Sequence, residues 1–166
     1  QGGLAPEATV MSWQGFDGGM AAARSGHKAV MAPVSYCYFN VYQGDPATEP
    51  ESFRGLLTLK KVYSFEPVPP ELSAEEAKLI IGAQGCLWTE YVTEGTTAEY
   101  MILPRLTALS EVVWTPAEKR DWDGFNRRLP KMMARFDAAG INYSRGSYHV
   151  DMSASWDEAS GNIILE

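Results

Sequence analysis

Three short apolar segments, separated by stretches of helical character, constrain the fold of this chain more than any other feature. They are Ala8–Trp13, Lys28–Tyr36 and Leu79–Trp88. The first has the composition of a strand buried on both faces. Pro33 is unfavourable inside a central strand, so the second segment is expected to end near it. Alternation of buried strands with helices is typical of a parallel α/β sheet.

Two short helices are expected between these strands. Met20–Ser25 predicts a helix that ends at Gly26. Ser73 and Glu76 fit a capping box, with the serine as N-cap and the glutamate three residues later. The body therefore has few elements for an independent α/β domain, since it offers only three strands.

A longer helical run is predicted before Trp114. Thr96 and Glu99 form a second candidate capping box, and apolar residues follow at positions 102, 103, 106, 109, 112 and 113. Pro104 is expected in the first turn or at a kink, because proline lacks the amide that a helix interior needs.

The last predicted helix spans Asp123–Ala139. It carries an apolar face and is closed by Gly140. Asp121 and Asp123 are interpreted as its capping residues.

Two stretches lack this regularity. Gln43–Pro70 is long, polar and rich in proline, and connections of this kind are usually functional or embellishing. In Ser147–Glu166 apolar and polar residues alternate loosely, and the stretch ends in Asn162–Leu165, which has the composition of a strand.

The glycine-rich segment Gly15–Gly19 matches neither of the two nucleotide-binding sequence fingerprints.

Charge and composition exclude several functions. Fourteen basic against 21 acidic residues give a net charge of −7, which argues against a nucleic-acid or anionic-membrane surface. No apolar run approaches the ~18 residues of a membrane span, and no signal peptide is visible in Gln1–Pro6. Two cysteines and two histidines make a disulfide scaffold or a zinc site improbable. The sequence therefore does not decide whether the protein is exported from the cell.

Each apolar segment ends in a cluster that combines an aromatic ring with a polar group. Trp13 ends the first, Tyr38 and Asn40 follow the second, and Trp88 and Glu90 end the third. Function in α/β folds collects at the carboxyl ends of strands. A flat ring beside a carboxylate or amide suits a sugar, because the ring packs on C–H faces while the polar group binds hydroxyls.

Simpler interpretations exist for each residue taken alone. A tryptophan at a strand end is often core or rim filler, an exposed glutamate is often only solvated, and an asparagine after a strand often caps a turn. Cys37 and Cys86 are interpreted as small buried hydrophobes. The remaining large aromatic residues are interpreted as core or interface: Tyr63, Trp114, Trp122 and Trp156. The residues alone leave a sugar site and a structural role both open.

Four ordered blocks of sequence resemble the family 20 glycoside hydrolases, the β-N-acetylhexosaminidases, and look most like bacterial members. The resemblance covers about Leu4 to Tyr143. The blocks are Val10–Gly15, Cys37–Gln43, Gly85–Tyr91 and Thr97–Trp114.

This resemblance implies a (β/α)8 barrel of which the chain holds the last three strands. A whole barrel typically needs about 250 residues, so the chain is expected to be the C-terminal part of one. Residues 1–145 are assigned to the barrel, and 146–166 to a β-rich tail that begins a following module.

The resemblance also implies removal of terminal β-linked N-acetylglucosamine or N-acetylgalactosamine by a substrate-assisted mechanism. In the family the 2-acetamido oxygen of the substrate attacks the anomeric carbon, and an Asp-Glu pair on an earlier strand supplies the acid and orients the acetamide. The Asp-Glu of this chain, Asp157-Glu158, lies in the tail and is not assigned that role. The isolated chain is therefore expected to be inactive.

The matched positions would form one wall of the sugar-binding subsite. The resemblance implies that Trp13 and Trp88 enclose the acetamide methyl, that Tyr38 donates its hydroxyl to the acetamide oxygen, and that Glu90 binds sugar hydroxyls. Asn40 stands where the family usually has Asp, so it keeps an acceptor but loses the charge.

No metal or organic cofactor is implied, and the expected partners are N-acetylhexosamine-containing glycans. The compartment of the chain itself stays unknown, and the resemblance implies a periplasmic or secreted parent protein in a bacterium. An unfinished barrel exposes strand edges, so association with itself or with the missing half is expected. The alternative function is a non-catalytic carbohydrate-binding or interaction module.

Overall fold

The structure is a computed structural model that describes residues 3–146 and the backbone of 154–157 and 162–165. The strands are β1 (Thr9–Ser12), β2 (Lys28–Met31), β3 (Val41–Tyr42), β4 (Phe53–Leu56), β5 (Ile80–Ala83), β6 (Ala154–Asp157) and β7 (Asn162–Leu165). The α-helices are α1 (Asp17–Arg24), α2 (Val34–Cys37), α3 (Leu59–Tyr63), α4 (Ala74–Ala77), α5 (Gly95–Ile102), α6 (Arg105–Trp114) and α7 (Trp122–Ala139).

The central sheet is parallel, with the strand order β1-β2-β5. Thr9 lies opposite Lys28 and Ser12 opposite Met31. The predicted α/β fold with three parallel strands is confirmed. Burial on both faces is wrong for β1, because Met11 is exposed, and Ile81 of β5 is exposed as well. One face of the sheet therefore lacks a cover among the described residues.

The second strand occupies the first part of its apolar segment. It ends at Met31, and the chain turns at Pro33 into the single helical turn α2. Proline ends the strand because it offers no amide to the ladder. The predicted end of the strand near Pro33 is thus confirmed.

The connection between β2 and β5 holds more structure than expected. Gln43–Pro70 contains β4, which pairs with β3, and helix α3. The capping oxygen of α3 is Thr58 Oγ1, which accepts from Lys61 N at 3.2 Å. Pairing between short strands depends on contacts distant in sequence, so composition alone did not indicate it.

Of the two predicted capping boxes, the structure confirms one. Ser73 and Glu76 exchange both hydrogen bonds at the start of α4. The Thr96 box is wrong, because α5 begins after Glu94. The helical run is also divided, since Pro104 lies between α5 and α6 as the N-cap of the latter.

Helix α7 agrees with its predicted span and ends at Gly140, whose φ of 67° lies in the left-handed region. Asp121 occupies the N-cap position, although its side chain makes no capping hydrogen bond. Tyr63 packs against Trp122 and Phe125 beneath this helix.

Trp114 is 87% exposed, so of its two predicted roles, core or interface, the core role is wrong and the interface role stays a prediction. The side chain of Trp156 lies outside the described residues.

The tail contains the antiparallel pair β6–β7, with Ala154 opposite Leu165. The strand predicted at Asn162–Leu165 is confirmed. In the part of the chain that the structure describes, no helix combines the length and apolarity needed to cross a membrane.

Candidate functional site

The predicted site residues follow the carboxyl ends of three neighbouring parallel strands. Trp13 comes directly after β1, Tyr38 follows β2 after one helical turn, and Trp88 lies five residues beyond β5. Because the strands are parallel and adjacent in the order β1-β2-β5, these ends meet at one edge of the sheet.

Backbone hydrogen bonds join the second and third of these ends. Tyr38 and Cys86 form an isolated parallel bridge. Phe39 N donates to Cys86 O at 2.7 Å, and Cys86 N donates to Cys37 O at 2.7 Å. Sheet pairing thus resumes after α2, and it fixes the register of Tyr38 against the segment that leads to Trp88.

The loop after β1 is held by the buried side chain of Ser12. Its Oγ donates to Gly15 O at 2.7 Å and accepts from Gly19 N at 2.9 Å. Trp13 O accepts from Val34 N at 2.9 Å, which ties this loop to α2. A cavity of about 230 Å³ opens here, lined by Met11, Ser12, Trp13, Gln14, Gly15, Asp17 and Gly18.

The side chains at the strand ends differ in exposure. Trp13 is 48% exposed and Trp88 is 56% exposed. Glu90 lies in an exposed turn, whereas Tyr38 is half-buried. Two indole faces and a carboxylate are therefore accessible to a ligand that has both apolar faces and hydroxyl groups.

Asn40 is turned inward and is only 6% exposed. Its main-chain oxygen accepts from Phe53 N at 2.9 Å. Its side-chain Oδ1 is buried and has no hydrogen-bond partner among the described residues. A buried acceptor without a donor costs about 1–3 kcal/mol.

Arg105 is a part of this region that sequence analysis did not assign to the site. It is fully buried, and its guanidinium donates to the main-chain oxygens of Phe39 at 2.6 Å and Val41 at 3.0 Å. These carbonyls lie on either side of Asn40. A signal was present, because Arg105 shares a helical face with the buried residues Ala108 and Leu109.

The apolar positions predicted for this helix are buried only in part. Leu109 and Val112 are buried, whereas Leu106 and Val113 are exposed. Arg105 and Ala108 complete the buried face, and a count of apolar residues does not include an arginine.

The thiols beside the site are not activated. Burial, with a smaller effect of the neighbouring Cys86, raises the pKa of Cys37 to about 12. Burial also raises the pKa of Cys86. A nucleophilic cysteine needs a lowered pKa, so these thiols have the opposite character.

A larger cavity of about 390 Å³ lies away from the strand ends, against Tyr63 and Trp122. The guanidinium at its rim, Arg120, is already engaged, because it donates to Glu66 Oε2 at 2.9 Å and to Phe65 O at 3.1 Å. In residues 3–146, no group of three His, Cys, Asp or Glu side chains is placed to hold a metal ion.

Comparison with known proteins gives one family. Residues 1–117 match Glycosyl hydrolase family 20, catalytic domain. The chain is similar to a beta-hexosaminidase of Porphyromonas gingivalis, with 46% identity over 144 residues that cover 86% of this chain and 18% of the relative. It is similar to a beta-N-acetylhexosaminidase of Cellulomonas fimi, with 33% identity over 144 residues that cover 82% of this chain and 26% of the relative.

Solved structures agree with this comparison. The exo beta-N-acetylglucosaminidase of Vibrio harveyi in complex with N-acetylglucosamine aligns with a TM-score of 0.73 and 30% identity, over 86% of this chain and 23% of that one. An inactive mutant of an enzyme of that description aligns with a TM-score of 0.77 and 32% identity. The chain thus spans between 18% and 26% of the length of these relatives.

Proposed function

Because the chain belongs to glycosyl hydrolase family 20, we propose that it is the C-terminal part of the catalytic (β/α)8 barrel of a β-N-acetylhexosaminidase. One observation carries the proposal: the aromatic and polar residues of the matched blocks follow the carboxyl ends of adjacent parallel strands, where barrel enzymes hold their substrates.

In this proposal the strands β1, β2 and β5 are the last three of the barrel. Exposed Met11 and Ile81 support it, because barrel strands are covered on both faces in the complete ring. Coverage of only 18% and 26% of the two relatives supports it as well. Residues 1–145 belong to the barrel and 146–166, with the pair β6–β7, begin a following module.

The proposed substrate is a glycan ending in β-linked N-acetylglucosamine or N-acetylgalactosamine. Trp13 and Trp88 enclose the acetamide methyl group, and the hydroxyl of Tyr38 donates to the acetamide oxygen while that oxygen attacks the anomeric carbon. Glu90 accepts from sugar hydroxyls. Orientation of an internal nucleophile can be worth about 7–11 kcal/mol of barrier, and Tyr38 stabilises the charge that develops on the acetamide.

Asn40 is proposed to bind the C4/C6 side of the sugar. The place of Asn40 in the matched block Cys37–Gln43, two residues after Tyr38, supports this role. Its Oδ1 is buried in this structure, so the side chain has to turn outward to accept from a sugar hydroxyl. A neutral amide makes weaker hydrogen bonds than a carboxylate. The position therefore affects affinity and epimer preference more than the class of reaction.

The proposed residues bind and orient the substrate, but none of them protonates the leaving group. The acid and its aspartate partner are assigned to an Asp-Glu pair elsewhere in the barrel, and Asp157-Glu158 is not given that duty. The isolated chain is accordingly proposed to be inactive.

Turnover tests this assignment. The longer protein that contains the chain should hydrolyse a chromogenic N-acetylglucosaminide, and the isolated chain should not. Hydrolysis by the isolated chain at the rate of the longer protein would refute the proposed division of the catalytic groups. Inactivity of both would refute the hexosaminidase assignment.

Association is the proposed behaviour of the chain on its own. Strands β1 and β5 are the outer strands of the three-stranded sheet, and its exposed face carries Met11 and Ile81. Unpaired edges and apolar patches promote association with another copy or with the rest of the barrel. Light scattering should show oligomers, and a monodisperse monomer would contradict this.

A second candidate function is a carbohydrate-binding module without catalysis. The exposure of both Trp13 and Trp88 favours it, because indole faces bind sugars in the absence of an acid. Calorimetry with N-acetylglucosamine separates the two functions. A free-standing binder should bind in the millimolar range or better, and a partial site should give no heat of binding.

A further inference from the structure

Arg105 is a buried cation that is held by carbonyl groups. It begins α6, has no exposed surface, and donates from Nη2 to Phe39 O at 2.6 Å and from Nη1 to Val41 O at 3.0 Å. Nη1 also donates to Leu57 O at 3.1 Å, and Nε donates to Met101 O at 3.2 Å. One planar group thus joins the segment after β2, the loop after β4 and the end of α5.

The ring of Phe39 adds a second contact. The centre of the guanidinium lies 5.2 Å from the ring centroid, within the range of a cation–π interaction. Arg105 therefore holds residue 39 through both its carbonyl and its side chain, and residue 41 through its carbonyl.

No ion pair within 4.0 Å compensates this charge among the described residues. Burial lowers the pKa of Arg105, whereas the field of Glu49 raises it. A buried charge is costly unless its donors are satisfied in good geometry. A lysine cannot replace this arrangement, because its donors diverge from one nitrogen while those of arginine form a planar fork.

The position of these contacts indicates what they fix. The two carbonyls bracket Asn40, and Tyr38 precedes the first of them. We propose that Arg105 is a positioning residue for the sugar site: by holding the carbonyls of Phe39 and Val41, it fixes the backbone from which the side chains of Tyr38 and Asn40 extend. This inference rests on the proposed function, in which those two side chains contact the substrate.

Kinetics of the longer protein test the role in catalysis. Arg105→Lys should lower kcat per folded enzyme by about 10-fold to 100-fold, because misplacing a reacting group by about 1 Å costs about 100-fold. The matched control is Arg120→Lys, since Arg120 also donates to backbone carbonyls, those of Phe65 and Thr115, but away from the strand ends. The control should leave kcat per folded enzyme unchanged.

A double-mutant cycle with Tyr38→Phe separates positioning from simple destabilisation. If Arg105 acts through Tyr38, the double variant should lose less activity than the product of the two single losses. Multiplicative losses, or an unchanged kcat in folded Arg105→Lys, would overturn the proposal.

Hydrogen exchange on the unmodified protein decides the matter even if the variant does not fold or the wild type has no turnover. The amide of Phe39, a held residue, donates to Cys86 O, and the amides of Phe53 and Leu57 donate to Asn40 O and Tyr42 O beside the held carbonyls. They should exchange as slowly as the amides of the β1–β2 pair. Faster local exchange at these amides would overturn the positioning role. If these amides exchange slowly but the longer protein does not hydrolyse an N-acetylglucosaminide, the result counts against the proposed function and not against the positioning role of Arg105.

Discussion

Tyr38 and Cys86 face each other across a parallel backbone bridge, although a helical turn separates Tyr38 from its own strand. Tyr38 therefore lies opposite a position two residues before Trp88 in the neighbouring segment. Side-chain packing reinforces it, because a Cβ on Gly85 would lie 2.6 Å from Cε2 of Phe39. The two strand ends are therefore joined by both backbone and side-chain contacts, and a substitution on either side is expected to affect the other.

Removing the hydroxyl of Tyr38 tests its proposed role. Tyr38→Phe in the longer protein should lower kcat by about 100-fold or more, since loss of one donor to a developing charge typically has that effect. The control is Tyr36→Phe, whose hydroxyl accepts from Lys61 Nζ at 3.2 Å and is not proposed to contact substrate. Steady-state kinetics should show a normal kcat in the control. An unchanged kcat in Tyr38→Phe would remove this residue from the mechanism.

Adding a methyl group at Gly85 tests the contact between the strand ends. Gly85→Ala should destabilise the protein by about 1–3 kcal/mol, because the new Cβ overlaps the ring of Phe39. Gly95→Ala is the matched control, since nothing lies within 4 Å of a Cβ at that position. Denaturant unfolding measures both. Equal stability of the two variants would show that the Phe39 ring adapts without cost.

Restoring a carboxylate at position 40 tests the proposed sugar contact. Asn40→Asp should lower KM for the N-acetylglucosaminide by about 10-fold, because a charged acceptor makes a hydrogen bond roughly twice as strong. It should also reduce stability, since the site is almost completely buried. Kinetics with both the gluco and galacto substrates would measure any change in epimer preference. An unaltered KM for both would place the residue outside the sugar contact.

The cysteines provide a test of pH dependence. The folded-state pKa of Cys37 is raised to about 12, so the unfolded chain loses this proton first as the pH rises. The free energy of unfolding is therefore independent of this thiol below about pH 9, the ordinary pKa of a cysteine, and it falls between about pH 9 and 12.

Alkylation at pH 8 followed by mass spectrometry reports the same property. The partly accessible Cys86 should be modified before the buried Cys37, and both should react in denaturant. Rapid modification of Cys37 in the folded protein would contradict its burial.

The order and direction of the main strands could be predicted because each is a short apolar run near a helix with a clear end signal. Gly26, Pro33 and Gly140 end a helix, a strand and a helix through their own backbone preferences. The local sequence was therefore sufficient to predict where these elements end. Strand β4 and helix α3 were missed because they are only four and five residues long and are stabilised by partners distant in sequence. Pro104 was expected in a first turn or at a kink, and it instead separates α5 from α6 as the N-cap of the second helix.

The candidate site was predicted to the extent that its residues stand at strand ends. The bridge from Tyr38 to Cys86 could not be predicted, since it depends on how α2 interrupts the strand. Arg105 was missed for a related reason: its partners are carbonyl oxygens of residues 39, 41 and 57, and sequence carries no mark of such acceptors.

The decisive experiment is a crystal structure of the longer protein with N-acetylglucosamine bound. We expect the acetamide methyl between the rings of Trp13 and Trp88, with the acetamide oxygen within hydrogen-bond distance of the Tyr38 hydroxyl. A sugar bound away from these three residues, or with its acetamide turned toward solvent, would contradict it.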